Sequence, residues 1–119
     1  SWTFGSVTFQ VPEGGRSYLA FAMVSVWADD CKTYDWMGSG YVEILVDGTV
    51  DCCFKFACYP AVTTSQTFTL PITLNEGTHT VSARLWGSGS DVLSSVVTQY
   101  ESGAIPGQKL FVVDVGAIV

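Results

Sequence analysis

The sequence predicts an all-β domain, a sandwich or barrel of about eight short strands, on three observations. Extended apolar or alternating segments recur along the whole chain, and none carries a helical period. Clusters of Gly, Pro, Asn, Asp and Ser separate them, and these are the residues that turn a chain at least cost. At 119 residues the chain has the size of one domain, able to bury about two-thirds of the surface its unfolded form exposes.

In order, the strands fall at residues 2–11, 17–28, 40–46, 50–59, 67–74, 79–86, 92–98 and 109–118. The first runs into Pro12-Glu13-Gly14-Gly15, a turn by composition. The second is apolar on both sides: Leu19, Phe21, Met23 and Trp27 share one, and Tyr18, Ala20, Ala22, Val24 and Val26 the other. A two-layer sandwich wets one face of each sheet, so this strand predicts an outer face covered by another subunit. The small Ala20 and Ala22 are expected on that outer side, where Ala22→Glu would charge the seam.

The third and fourth strands meet at Asp47-Gly48. A two-residue turn would set Val42 and Ile44 opposite Cys53 and Asp51, mixing apolar and charged side chains. A three-residue loop from Asp47 to Thr49 sets Val42, Ile44 and Val46 opposite Phe54, Cys52 and Val50 instead. Tyr41, Glu43, Asp51, Cys53 and Lys55 then face outward, which is the separation a one-sided core requires. Pro71 lacks an amide hydrogen and so places the fifth strand at a sheet edge or on a bulge. Asn75-Glu76-Gly77 reads as the turn of a hairpin between the fifth and sixth strands, because Gly77 tolerates positive φ. Gly87-Ser88-Gly89-Ser90 precedes the seventh strand. The last strand repeats the two-faced pattern, with Phe111, Val113 and Val115 against Leu110, Val112 and Ile118.

Composition narrows the function. The chain is 48% hydrophobic and 13% charged, about half the usual charged share, which leaves too little polar material to coat an isolated sandwich and predicts self-association. A net charge of −6, with only five Lys and Arg scattered along the chain, argues against nucleic acid, whose phosphates need a basic face. No basic amphipathic stretch or long apolar run predicts membrane insertion, and the last strand is interrupted by Asp114 and Gly116. The chain opens at Ser1 without Met or a leader-like stretch, as expected of a mature, trimmed or fragmentary chain. Four cysteines in a small acidic β-rich chain favour an oxidising, extracellular setting.

Four stretches resemble a known family: Gly14-Gly15-Arg16-Ser17-Tyr18-Leu19-Ala20; Tyr41-Val42-Glu43-Ile44-Leu45-Val46-Asp47-Gly48-Thr49-Val50; Leu70-Pro71-Ile72-Thr73-Leu74-Asn75-Glu76-Gly77-Thr78-His79-Thr80-Val81; and the short strand after Gly107. Their order and spacing are similar to the C1q/TNF-like jelly rolls of bacteriophage fibre, spike and capsid-decoration proteins, over nearly the whole chain. The resemblance implies an antiparallel jelly-roll β-sandwich, a compact homotrimer packed through apolar sheet faces, and service as a structural cap or receptor-binding head at the virion surface.

Chemistry is sparse. Cys31, Cys52, Cys53 and Cys58 lack the paired C-x-x-C knuckles of a structural zinc site, and adjacent Cys52 and Cys53 point to opposite faces of a strand, so disulfides are the better reading. In a regular strand Cys53 and Cys58 stand roughly 17 Å apart, beyond any bridge, which leaves Cys58 within reach of Cys31. A turn at Lys55 would instead allow Cys53–Cys58 with Cys31–Cys52. His79, the only histidine, shares parity with Val81, Ala83 and Leu85 and reads as a satisfied side chain at the mouth of the core. No nucleophile elbow, phosphate loop or zinc-protease helix is present in the sequence, and no cofactor is implied.

The loop at 27–36 concentrates Trp27, Tyr34 and Trp36 with Asp29, Asp30 and Asp35. The carboxylates lack the order of a calcium loop, and the aromatics suit either a subunit contact or stacking on a sugar. These six residues form the candidate binding surface. The expected function is therefore non-enzymatic: a virion fibre or spike head, or a capsid-decoration protein, meeting a glycan or host receptor. The alternative is a secreted or cell-surface β-sandwich, either a carbohydrate-binding module or an extracellular filament subunit.

Overall fold

The computed structural model describes residues 2–28, 38–58, 64–88, 96–98 and 108–117. Every element among them is a strand: β1 (Trp2–Val11), β2 (Arg16–Ala28), β3 (Gly38–Val46), β4 (Thr49–Cys58), β5 (Thr64–Leu74), β6 (Gly77–Ser88), β7 (Val96–Thr98) and β8 (Lys109–Ala117). They make an antiparallel β-sandwich. Sheet A has the order β1-β6-β3-β4; in sheet B, β5 lies on one side of β2 while β7 and β8 share the other. The chain passes from one sheet to the other after β1, β2, β4, β5 and β6, the winding of a jelly roll. Among the described strands, only β3 and β4 are both consecutive and paired.

The core lies between Tyr18, Ala20, Ala22, Val24, Ile72 and Leu74 of sheet B and Val11, Val42, Ile44, Phe56, Val81, Ala83 and Leu85 of sheet A. This corrects the expected orientation of β2. Ala20 and Ala22 are fully buried, and the larger Leu19, Phe21 and Met23 face away from the core. The reason is volume. Phe54 from sheet A stacks on Phe68 from sheet B at 4.9 Å between centroids, Phe56 approaches the same ring at 5.9 Å, and Phe68 pairs directly with Ala22. Three rings beside β2 fill the interlayer space, so only small side chains fit beneath them. Gly40 shows the same constraint from sheet A, because any Cβ placed there would collide with the Phe56 ring.

The β3–β4 register resolves differently from either simple turn. Val42 faces Phe54 and Ile44 faces Cys52, as the hydrophobic separation demands, yet Val46 pairs with Thr49 across a two-residue turn. A bulge at Asp51 absorbs the difference. Asp47 and Gly48 both take positive φ, 50° and 83°, the pattern of a type I′ turn that matches strand twist. The expected three-residue loop is thus a two-residue turn followed by one inserted residue.

The Asn75-Glu76-Gly77 turn also departs from expectation. β5 pairs with β2, and β6 pairs with β1 and β3, so the turn carries the chain across the core instead of closing a hairpin. Reversal chemistry is common to both connections, and local sequence does not distinguish them. Pro71 sits on β5, which among the described strands is an edge of sheet B, as its missing amide hydrogen predicts.

One position in sheet B is held by a side chain. β8 pairs with β2 as far as Met23, and β7 takes over from Val26. In the gap, buried Gln108 donates from Nε2 to the Ser25 carbonyl at 2.7 Å. Its amide stands where a neighbouring strand would otherwise satisfy the backbone.

Candidate functional site

The outer face of sheet B is the surface that the core packing leaves unexplained. Because the small residues of β2 point inward, its large ones point out, and β8 lies alongside with the same parity. Leu19 pairs with Val113 and Phe21 with Phe111, forming an apolar ladder on neighbouring strands. Met23, Phe111, Val113 and Val115 keep 40, 48, 46 and 53% of their surface exposed, fractions that side chains of this type seldom show together. On β5, Ser65, Thr67, Thr69 and Thr73 border the ladder, with Pro71 among them.

The end of β8 is fixed in place. A bulge leaves Val115 unpaired between Asp114, which meets Tyr18, and Gly116, which meets Ser17. Asp114 accepts from Arg16 Nε at 2.7 Å and from the Gly116 amide at 2.9 Å. The hydrogen bond from Arg16 holds the Asp114 carboxyl below its ordinary range, and the same contact raises Arg16. The bulge therefore presents Val115 outward from a braced backbone.

Sheet A's outer face is different in kind. Thr8 and Thr80 bring their hydroxyls to 2.8 Å, Thr78 donates to Gln10 at 2.6 Å, and Arg84 donates to Glu43 at 3.0 Å. Most of its apolar members are covered: Leu45 is buried, and Tyr41 and Trp86 stack at 4.1 Å with 11° between their planes, so each ring shields one face of the other, while Val50, opposite Leu45, stands alone at 42% exposed. Lys55 places its ammonium 6.0 Å from the centroid of the Tyr41 ring.

Of the disulfide candidates, Cys52 and Cys53 carry free thiols. They are neighbours in a regular strand, Cys52 turned inward and Cys53 exposed, so no bridge joins them. β4 continues unbroken through Lys55, which removes the alternative that joined Cys53 to Cys58 and Cys31 to Cys52. Burial, with Glu43 and Cys52 nearby, pushes the Cys53 thiol up, away from the reactive thiolate. Cys31 and the side chain of Cys58 lie outside the described residues, and a Cys31–Cys58 pairing with them. The same holds for Asp29, Asp30, Tyr34, Asp35 and Trp36. Trp27 is placed in β2 by its backbone, opposite Val97, with its side chain outside the description.

Among the described residues, no group of three or more His, Cys, Asp or Glu is arranged to hold a metal ion, and no helix is long and apolar enough to cross a membrane. The sequence pattern signalled the apolar face by giving β2 and β8 two hydrophobic sides. It missed Gln108 and the Arg16–Asp114 brace, since a lone glutamine and a pair 98 positions apart leave no local trace.

No protein-family model matches the chain, and no curated protein does. Among solved structures, it is similar to a Paenibacillus sp. cycloisomaltooligosaccharide glucanotransferase complexed with cycloisomaltoheptaose, at 17% identity and a TM-score of 0.37. That alignment covers 92% of this chain and 12% of the enzyme's.

Proposed function

We propose that this chain is a non-enzymatic structural and binding module that assembles with copies of itself through the outer face of sheet B. The observation that carries the reading is the outward ladder of Leu19, Phe21, Met23, Phe111, Val113 and Val115, the last four of them exposed. An apolar centre bordered by serine and threonine has the anatomy of a protein interface. Covering a few hundred Å² of it per copy contributes on the order of several kcal/mol, before the entropy of association is subtracted.

The resemblance to phage jelly rolls supports a closed homotrimer at a virion surface, as a fibre or spike head or a capsid-decoration protein. Recognition of a glycan or host receptor falls to Trp27, Tyr34 and Trp36 on sequence grounds. Native mass spectrometry of the wild type and of Val113→Glu tests the assembly. The expected result is a defined multimer that the variant reduces to monomer. A monomeric wild type at micromolar concentration overturns the reading, and a monomer that binds sugars puts the carbohydrate-binding alternative in its place. Open, concentration-dependent growth replaces the closed head with the filament.

A further inference from the structure

We infer that His79 is a pH-sensitive latch that, in its doubly protonated form, ties the β3–β4 turn to the β5–β6 turn. His79 stands third in β6, with its side chain 17% exposed and turned towards the core side of sheet A beside Phe9 of β1. Its two ring nitrogens meet acceptors on two different turns. Nδ1 donates to Asp47 Oδ2 at 2.6 Å, and Nε2 donates to the Asn75 carbonyl at 2.8 Å. A carbonyl only accepts and an ionised carboxylate only accepts, so both bonds exist together only when both nitrogens carry hydrogen. A neutral ring turns a lone pair on one of the two oxygens.

Asp47 is fixed for this task by the backbone. Its Oδ1 accepts from the Thr80 amide at 2.8 Å, and its own amide donates back to the Thr80 carbonyl at 2.8 Å. The Thr80 amide and the imidazolium hold the Asp47 carboxyl below its ordinary range, so the carboxylate persists where the ring titrates. Asp47 and the Asn75 carbonyl, in that order, raise His79 above the usual 6.5. The other charged side chains on the turns at this end are Glu13, Glu76 and Asp51, all acidic, and Arg16, which is engaged by Asp114. None of the acids competes with protonation of the ring.

The directions fix the pH window. His79's contribution to stability is full below its unfolded value and is lost as pH rises through its raised folded value. Asp47's contribution is present above its unfolded value, 3.8, and is lost as pH falls through its lowered folded value. The latch therefore closes across mildly acidic pH and opens as pH rises through the raised folded value of His79, above 6.5.

Nitrogen-15 NMR of the imidazole tests it directly. In the wild type, both ring nitrogens should show protonated shifts at pH 6.5, with the midpoint above 6.5, and the Thr80 amide should exchange faster once that midpoint is passed. Asp47→Asn keeps the turn, because Asn-Gly is the preferred type I′ pair, while removing the charge. It should bring the midpoint down towards 6.5. A wild-type midpoint at or below 6.5, or one that Asp47→Asn does not lower, overturns the latch.

Discussion

The two outer faces of the sandwich follow opposite rules although the sheets share one core. On sheet A, threonines bond to threonine and glutamine, an arginine meets a glutamate, and Tyr41 and Trp86 turn their rings on each other. On sheet B, β2 and β8 set Leu19, Phe21, Met23, Phe111, Val113 and Val115 towards the outside, with Lys109 opposite Met23 the charged side chain at one end of the row. The difference originates inside. The Phe54, Phe56 and Phe68 rings demand alanines on the inner side of β2, and the strand's large residues are displaced to the outer side. A face that a folded monomer would tolerate only as scattered side chains is here continuous over two strands, and continuity is what separates an interface from ordinary exposed apolar surface.

The harshest way to break this comparison is to charge the inner row. Ala22→Glu buries a carboxylate with no partner at a fully covered site and should cost about 4 kcal/mol or more, enough to unfold a marginal domain. Ser6→Glu, exposed on sheet A, should stay within about 0.5 kcal/mol. Urea denaturation reads both. An Ala22→Glu protein of near wild-type stability would mean that the inward and outward rows of β2 are reversed.

Phe111→Lys comes next. Losing one buried phenylalanine forfeits about 1.5–3 kcal/mol, and placing an ammonium in the ladder adds its desolvation, so association should weaken by about 100-fold or more. Thr8→Lys, on the other face, should leave the mass unchanged. Sedimentation velocity over a concentration series distinguishes them. Equal weakening by both substitutions would move the contact off sheet B.

The fold was legible because strand periodicity and turn chemistry act locally: β1 runs Trp2–Val11 as its alternation predicts, and β8 starts at Lys109, shortly after Gly107, as expected. What was not legible depends on partners distant in sequence. Both faces of β2 are apolar, so alternation carries no sign, and the choice between Ala22 and Phe21 as the inward residue was made by rings on β4 and β5. At Asp47-Gly48 the hydrophobic pattern set the pairing of Val42 with Phe54, while the turn set that of Val46 with Thr49. The conflict between them could only be resolved by an inserted residue at Asp51. Asn75-Glu76-Gly77 announced a reversal but not which sheet would receive β6. For the candidate site, the apolar excess was visible and its side of the sheet was not.

Gln108→Leu probes how sheet B bridges the gap between β7 and β8. The substitution preserves volume but leaves the Ser25 carbonyl without its donor, which should cost about 1–2 kcal/mol. Because Gln108 immediately precedes β8, amide exchange should quicken at Lys109 and Leu110 more than at β6, on the sheet with the polar outer face. Uniform loss of protection would make Gln108 a general core residue instead of the plug between β7 and β8.

The smallest effect sharpens the other face. Glu43 keeps 14% of its side-chain surface and Arg84 34%, so the two members of this ion pair stand in different surroundings. Arg84→Met leaves a mostly covered carboxylate unpaired, whereas Glu43→Gln leaves an arginine that water still reaches and a neutral acceptor in the same place. Arg84→Met should therefore cost about 1–2 kcal/mol and Glu43→Gln about 0.5 kcal/mol. Part of the arginine's loss is offset, because its Nε is buried without a partner and its removal relieves that cost. The double variant should cost less than the sum of the singles, by about 0.5 kcal/mol, and neither substitution should alter the oligomer's mass. Were Glu43→Gln the more damaging of the two, the burden of burial would lie on the arginine instead of the carboxylate, the reverse of what their exposures predict.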